Sequence, residues 1–323
     1  MKAAYLNQRT GPEGLVVGEL PRPQPDHGEV LVAVRATAVM PTEFAWFPTL
    51  KTREGNPRPF PIVLSHEFSG VIAAAGEGVG PLKVGDAVYG MNDWFVNGAQ
   101  AEYCLAPASA VALKPAALDH TEAAAVPISA LTAWQGLFDR CRLRAGERVL
   151  IQGGAGGVGS FAVQLAHWRG AYVVATASAR NLGFVRELGA DEVLDYRTTR
   201  LEEHQGEMDV LFDVIGGETL ERSWSLLTPG GRAVTVATHS ESVTDPRVRE
   251  AFFIVEPNRA QLEEIAHLLD AGTIRAVAEA VYPLTQVRDA YARAARGGMR
   301  GKVILQVGGT DGARGLDPRK GSV

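Results

Sequence analysis

Residues 151–161 read IQGGAGGVGSF and continue the apolar run RVLI (148–151). Five of the eleven are glycine. Glycine loses more conformational freedom on folding than any other residue, so this density implies a backbone that turns sharply or lies against a ligand. Gly154, Gly156 and Gly159 fit G-x-G-x-x-G. The pattern follows a predicted strand and opens a predicted helix, GVGSFAVQLAHWR (157–169), within a βαβ unit. In that context it marks a dinucleotide pyrophosphate site. The first glycine is expected to make the tight turn, the second to let the pyrophosphate reach the backbone, and the third to let helix pack on strand. The helix N-terminus adds N–H donors and the positive end of a dipole.

The next strand, AYVVATA (171–177), bears on which dinucleotide is meant. An NAD site usually ends this strand with Asp or Glu for the ribose 2′-hydroxyl. Here Ser178, Arg180 and Asn181 follow, with no carboxylate among them. A carboxylate would repel a 2′-phosphate, whereas Ser donates to it and Arg donates through a planar fork. The residues therefore favour NADPH over NADH.

Beyond this unit the alternation continues. ARNLGFVRELG (179–189) reads as helix, EVLDY (192–196) as strand and MDVLFDVIG (208–216) as strand. GETLERSWSLL (217–227) reads as helix and GRAVTVAT (231–238) as strand. Such alternation predicts a parallel, doubly wound sheet. DHTEAAAVPISALTAWQGLF (119–138) reads as a helix interrupted at Pro127, with an Asp/Thr start. Upstream, EVLVAVRATAV (29–39), FPIVLSHEFSGVIAAAG (60–76), DAVYGM (86–91) and AEYCLAP (101–107) are short apolar or alternating runs cut by turn residues, the mark of an antiparallel β domain. Downstream come two amphipathic helices and a last strand, KVILQV (302–307), which is expected to return to the first domain.

Composition narrows the class. The chain has 323 residues, 46% hydrophobic, with a formal net charge of −5. That length suits about two domains, and the charge argues against a nucleic-acid partner. RVREAF (247–252) is offset by Asp245 and Glu250 and reads as a solvated loop. Cys104 and Cys141 cannot form a disulfide framework or a cysteine-rich zinc lobe; both read as structural. No stretch has the length of a membrane span and the N-terminus has no apolar signal core, so a cytoplasmic location is expected. Residues 311–323 read as a frayed tail.

AGERVLIQGGAGGVGSFAVQLAHWRGAYVVATAS, LGADEVLDYR, DVIGG, SHEFSGVIAAAGEGVGPLKVGDAVYGM, AEYCLAP and RGKVILQV together resemble the medium-chain dehydrogenase/reductase superfamily, and within it the zinc-free quinone oxidoreductase branch. The resemblance implies an α/β protein with a GroES-like β-barrel domain (1–122 and 258–310) and an inserted Rossmann domain (123–257). It also implies a homodimer. By the same resemblance Tyr196 joins Ser178 and Arg180 around the 2′-phosphate. Thr132, Gly156, Gly157, Val158, Ile215, Gly216 and Thr238 border the nicotinamide half, and Lys302 lies near the cofactor.

Zinc members of the superfamily carry a Cys after an early strand, a His-Glu pair and a third ligand. Here Met40 or a neighbour stands at the first place, His66-Glu67 matches the pair, and no third Cys follows. A catalytic zinc site normally has three protein ligands. His66, Glu67 and Glu43 could form an oxygen-rich set; the preferred reading is a cleft or structural histidine and no metal. Without a Lewis acid, an electron-poor acceptor such as a quinone or α,β-unsaturated carbonyl suits hydride transfer best. Thr42, Glu43, His66 and Asn92 are candidates for the proton-handling group. Met40, Phe44, Trp46, Met91 and Trp94 are candidate walls of the substrate cleft, while Trp134 and Trp168 read as core. Two other readings compete: a zinc alcohol dehydrogenase relative, and a sensor or structural protein that binds NADPH without turnover.

Overall fold

The computed structural model describes residues 1–237 and 243–307. Thr238 and the 311–323 tail lie outside the described residues.

The N-terminal part is built from β1 (Lys2–Leu6), β2 (Val16–Glu19), β3 (Glu29–Ala38), β4 (Ile62–Val63), β5 (Glu67–Ala75), β6 (Ala87–Met91), β7 (Tyr103–Pro107) and β8 (Val111–Leu113). A short helix, α1 (Phe47–Leu50), interrupts it. The run 60–76, expected as one strand, is two. Ser65 breaks it at φ +66°, where its hydroxyl donates to Ala38 O at 2.7 Å. Then α2 (His120–Ala124) begins at Asp119, whose side chain caps Glu122 N while the Glu122 carboxylate accepts from Asp119 N. Pro127 starts a new helix, α3 (Pro127–Trp134), rather than bending one long helix.

The alternating region gives β9 (Arg148–Ile151), α4 (Gly157–Trp168), β10 (Tyr172–Ala177), α5 (Leu182–Glu187), β11 (Glu192–Asp195), β12 (Met208–Asp213), α6 (Gly217–Ser223) and β13 (Leu227–Thr235). Its sheet has the order β11-β10-β9-β12-β13, parallel throughout, with the reversal beside β9 where the glycine run begins. RVREAF is not a loop: α7 (Pro246–Ala251) forms there, its first turn capped by Asp245. After α8 (Arg259–Asp270) come β14 (Ala278–Pro283), α9 (Val287–Ala295) and β15 (Lys302–Gln306). The last strand runs antiparallel to β3 and parallel to β14, so the chain does return to the first sheet.

One apolar cluster spans both halves, from Tyr89 and Met91 on β6 through Leu131 on α3 to Ile151 and Phe212 in the parallel sheet. Leu262 and Ile265 of α8 belong to it, and Tyr89 donates to Leu262 O at 2.5 Å. Trp168 departs from its expected place in the core. It is 42% exposed and stacks on Trp134 at 6.1 Å, because it sits on the last turn of α4 where that helix leaves the sheet.

Candidate active site

The glycine loop leaves β9 at the reversal of the sheet. Gly153 holds φ +72°, so the tight turn falls there, one residue before the glycine assigned to it by pattern. A Cβ on Gly154 would instead sit 3.1 Å from both Ala175 Cβ and Val185 Cγ1. Gly159 permits the tightest approach: a Cβ there would lie 2.1 Å from Gly153 O. Gly156 has room for a side chain: an imagined Cβ there makes only an ordinary contact, 3.6 Å from Gly153 O. The loop is held by Gly153 N donating to Thr176 Oγ1 at 3.0 Å and Gly154 N donating to Thr176 O at 2.9 Å. The residues fit a dinucleotide: an open Gly156, helix N–H groups with no side-chain cap on α4, and buried hydroxyls of Ser129 and Ser178 that meet no partner.

The other cofactor candidates surround this loop. Val214 and Ile215 cover Gly153; Ile215 remains 47% exposed. Asp213 fixes their backbone, accepting from Ile215 N and Gly216 N at 3.0 Å and from Thr235 Oγ1 at 2.6 Å. Thr132 is buried and spends its hydroxyl on Ile128 O at 2.6 Å. Val158 packs on the shared apolar cluster. Tyr196 is exposed beside the end of β10, its N–H donating to Ala177 O at 3.3 Å. Arg180 donates through Nη2 to Gly298 O at 2.6 Å.

Lys302 reaches the loop from β15. Gly157 has its imagined Cβ 3.0 Å from Lys302 Cε and from Ser129 Oγ. The lysine is ion-paired to Glu67 Oε1, and Glu67 Oε2 accepts from Ile128 N at 3.0 Å. Gly301 N donates to Ala155 O at 2.9 Å and pairs with Gly156 as an isolated bridge. The last strand is thereby sewn to the cofactor loop.

The candidates from the first domain split into two groups. Glu43, His66 and Asn92 are brought together and buried. Glu43 Oε1 accepts from Ser65 N at 2.7 Å and lies 3.3 Å from His66 Nε2. Burial pushes the Glu43 carboxyl up to about 8 and the His66 imidazole down to about 3, so at neutral pH both are uncharged. Asn92 donates through Nδ2 to Asn97 O at 3.0 Å, and its N–H donates to His66 O at 3.2 Å. Trp94 lies 5.3 Å from the His66 ring and 5.4 Å from Trp46; Met40 and Trp94 both rest on the shared apolar cluster, where Met91 is fully buried. Thr42 is exposed and is not drawn into this group. Phe44 faces the other way, edge-on to Tyr291 at 5.0 Å under α9.

Comparison with known proteins places these residues in a family. Residues 26–116 match the alcohol dehydrogenase GroES-like domain, and residues 188–305 match the family described as zinc-binding dehydrogenase. A probable mitochondrial zinc-binding oxidoreductase of Arthroderma benhamiae is 33% identical over 94% of this chain and 96% of its own. The chain belongs to the medium-chain dehydrogenase/reductase superfamily. An NADPH-dependent alkenal/one oxidoreductase of Arabidopsis thaliana, chloroplastic, is 33% identical over 88% of this chain and 73% of its own. The solved quinone oxidoreductase of Coxiella burnetii superposes with a TM-score of 0.86 at 28% identity, covering 95% of this chain and 99% of its own.

As a member of the superfamily the chain is an oxidoreductase with a nicotinamide cofactor. The zinc in the family's description does not fit the donors present. Among the described residues no three His, Cys, Asp or Glu side chains stand together as a ligand set. Glu67, the nearest further carboxylate in sequence, is committed to Lys302 and Ile128 N. Among the described residues no helix is long and apolar enough to cross a membrane.

Proposed function

We propose that this protein reduces a quinone or an α,β-unsaturated carbonyl with NADPH, without zinc. The observation that carries the reading is the fate of the would-be metal site: Glu43 and His66 face each other as a neutral, buried pair, and Glu67 serves as the counter-ion of Lys302. A site without a Lewis acid suits an acceptor whose own conjugation accommodates the incoming charge. The alkenal/one oxidoreductase of Arabidopsis and the quinone oxidoreductase of Coxiella are named for the same two acceptor classes.

Reduced nicotinamide, when bound, supplies the hydride. The chain's part is positioning. The first turn of α4 would hold the pyrophosphate through its uncapped backbone N–H groups, with the missing side chain of Gly156 leaving room beside them. Ser178, Arg180 and Tyr196 favour the 2′-phosphate, and no carboxylate ends β10 to repel it. Gly157, Lys302 and Ser129 meet on one side of the loop, where the Ser129 hydroxyl has a lone pair and a proton to offer. Trp46, Trp94 and Met40 offer an apolar surface for a flat acceptor. His66, Glu43 or Asn92 handles the proton that follows hydride transfer. A homodimer in the cytoplasm accompanies this reading.

The test follows nicotinamide absorbance with metal-free protein, comparing NADPH and NADH against quinones, enones and simple aldehydes. Oxidation of NADPH by quinones or enones, unchanged by chelator, is expected. Activity on aldehydes that a chelator abolishes would instead favour the zinc alcohol dehydrogenase reading, toward which the family description and the name of the Arthroderma relative point. NADPH binding with no turnover would favour a sensor.

A further inference from the structure

We infer that Arg300, on the loop between α9 and β15, is a specificity-determining residue that clamps the 2′-phosphate of NADPH together with Arg180. The inference rests on the NADPH reading above and extends it to a residue contributed from outside the Rossmann sheet.

The loop from Arg296 to Gly301 is stitched to the cofactor groove at two places. At one end Gly301 N donates to Ala155 O, beside the open Gly156. At the other, Arg180 Nη2 donates to Gly298 O at 2.6 Å, Arg300 Nε donates to Asn181 Oδ1 at 3.0 Å, and Arg300 Nη2 donates to Arg180 O at 3.1 Å. Arg300 thus stands over the end of β10, where this sheet architecture reads the adenosine ribose. Its guanidinium lies 5.1 Å from the Phe184 ring, which holds the planar group in place.

Charge balance then points to an anion. Arg180, Arg293 and Arg300 line one cavity of about 460 Å³, with Asn181, Gly298 and Glu279. Arg293 is neutralised by an ion pair with Glu279, whose other oxygen accepts from Arg300 N. Among the described residues neither the Arg180 nor the Arg300 guanidinium meets a carboxylate; each is bonded only to amide or carbonyl oxygens. Two neighbouring guanidiniums without a counter-ion repel each other, and a phosphate dianion between them replaces that repulsion with charge-assisted hydrogen bonds. Gly298 is required for this approach. It has φ +63°, and a Cβ there would lie 1.5 Å from Arg180 Nη2.

The test measures dissociation constants of the full-length protein for NADPH, NADH, adenosine 2′,5′-bisphosphate and AMP, by calorimetry. The variants are Arg300→Gln, Arg300→Lys and, as control, Arg259→Gln, which breaks an ion pair with Glu263 on α8 outside this cavity. Loss of a charge-assisted pair predicts that R300Q weakens NADPH and the bisphosphate by roughly 10- to 100-fold. NADH and AMP are expected to change by less than about threefold, as for R259Q with every ligand. R300K keeps the charge but loses the fork, and falls between. If R300Q does not fold, R300K decides by the same comparison. An R300Q protein that still separates NADPH from NADH as the wild type does overturns the assignment to Arg300 while leaving the NADPH reading intact. Equal losses for both dinucleotides overturn it too, and move Arg300 to the shared pyrophosphate. A wild type that does not separate the two dinucleotides overturns the NADPH reading itself.

Discussion

Lys302 and Glu67, 235 positions apart, form a buried ion pair that ties the last strand to the start of β5 beside the cofactor loop. Neither side chain is more than 9% exposed. Breaking such a pair strands one charge in a medium that cannot solvate it. Lys302→Met is therefore expected to cost about 3–5 kcal/mol of stability. The double variant Glu67→Gln/Lys302→Met removes both charges, and Gln can still accept from Ile128 N. Its loss should be smaller than the sum of the single losses by more than about 1 kcal/mol in a denaturant double-mutant cycle. Additive losses would show that the contact carries no coupling.

The glycine loop separates folding from binding. Gly159→Ala drives a methyl into Gly153 O and should destabilise the protein by about 1–3 kcal/mol. Gly156→Ala meets nothing nearer than 3.6 Å and has an ordinary backbone, φ −73°. Its stability should stay within about 1 kcal/mol of wild type. The same methyl occupies the face on which the pyrophosphate would rest, so nucleotide affinity should fall roughly tenfold or more. Thermal unfolding and nucleotide titration of the two variants check both halves. Equal affinity for wild type and G156A would place the phosphates elsewhere.

Most of this architecture was legible in the sequence because it is local. G-x-G-x-x-G after RVLI, strand–helix alternation and the punctuated β runs all act within a few residues. What was not legible depends on distant partners. The positive φ moved to Gly153 because Gly154 is needed for contact with Ala175 and Val185, which no pattern within the loop reveals. Phe44 looked like a cleft wall until α9, more than two hundred residues on, supplied Tyr291. Glu67 matched the His-Glu pair of the zinc members by position only, and its partner, Lys302, lies at the other end of the chain. Arg300 had one cue, its place just before Gly301-Lys302, and that gains meaning only when the loop is seen against β10.

The two cysteines should be inert in the folded protein. Cys104 and Cys141 are 2% and 1% exposed, and burial pushes both thiols up, Cys141 to about 12. The thiolate is the reactive form, so little of it exists at pH 8. A chromogenic thiol reagent should label neither residue in the native state and both in denaturant. Labelling of the native protein at the rate of a free thiol would show that one of the two sites opens.

The Glu43–His66 pair predicts how stability changes with pH. The Glu43 carboxyl is raised from 4.5 to about 8 in the folded state. Between those values the unfolded chain has released a proton that the folded chain retains, so rising pH removes stability, and the loss is complete near pH 8. His66 acts with the opposite sign. Its imidazole is lowered from 6.5 to about 3, so its contribution is whole above pH 6.5 and is lost as pH falls through that window. From pH 4.5 to 6.5 the two slopes oppose each other. From 6.5 to 8 only Glu43 acts. Glu43→Gln should therefore flatten the decline between pH 6.5 and 8, while His66→Asn should leave that limb and flatten the fall below pH 4.5. Denaturant unfolding of the three proteins at pH 3, 4.5, 6 and 8 tests this. A wild type no less stable at pH 8 than at pH 6, with E43Q parallel to it, would mean that Glu43 is already ionised in the fold, and that its buried charge has found a partner other than Ser65 N–H and neutral His66.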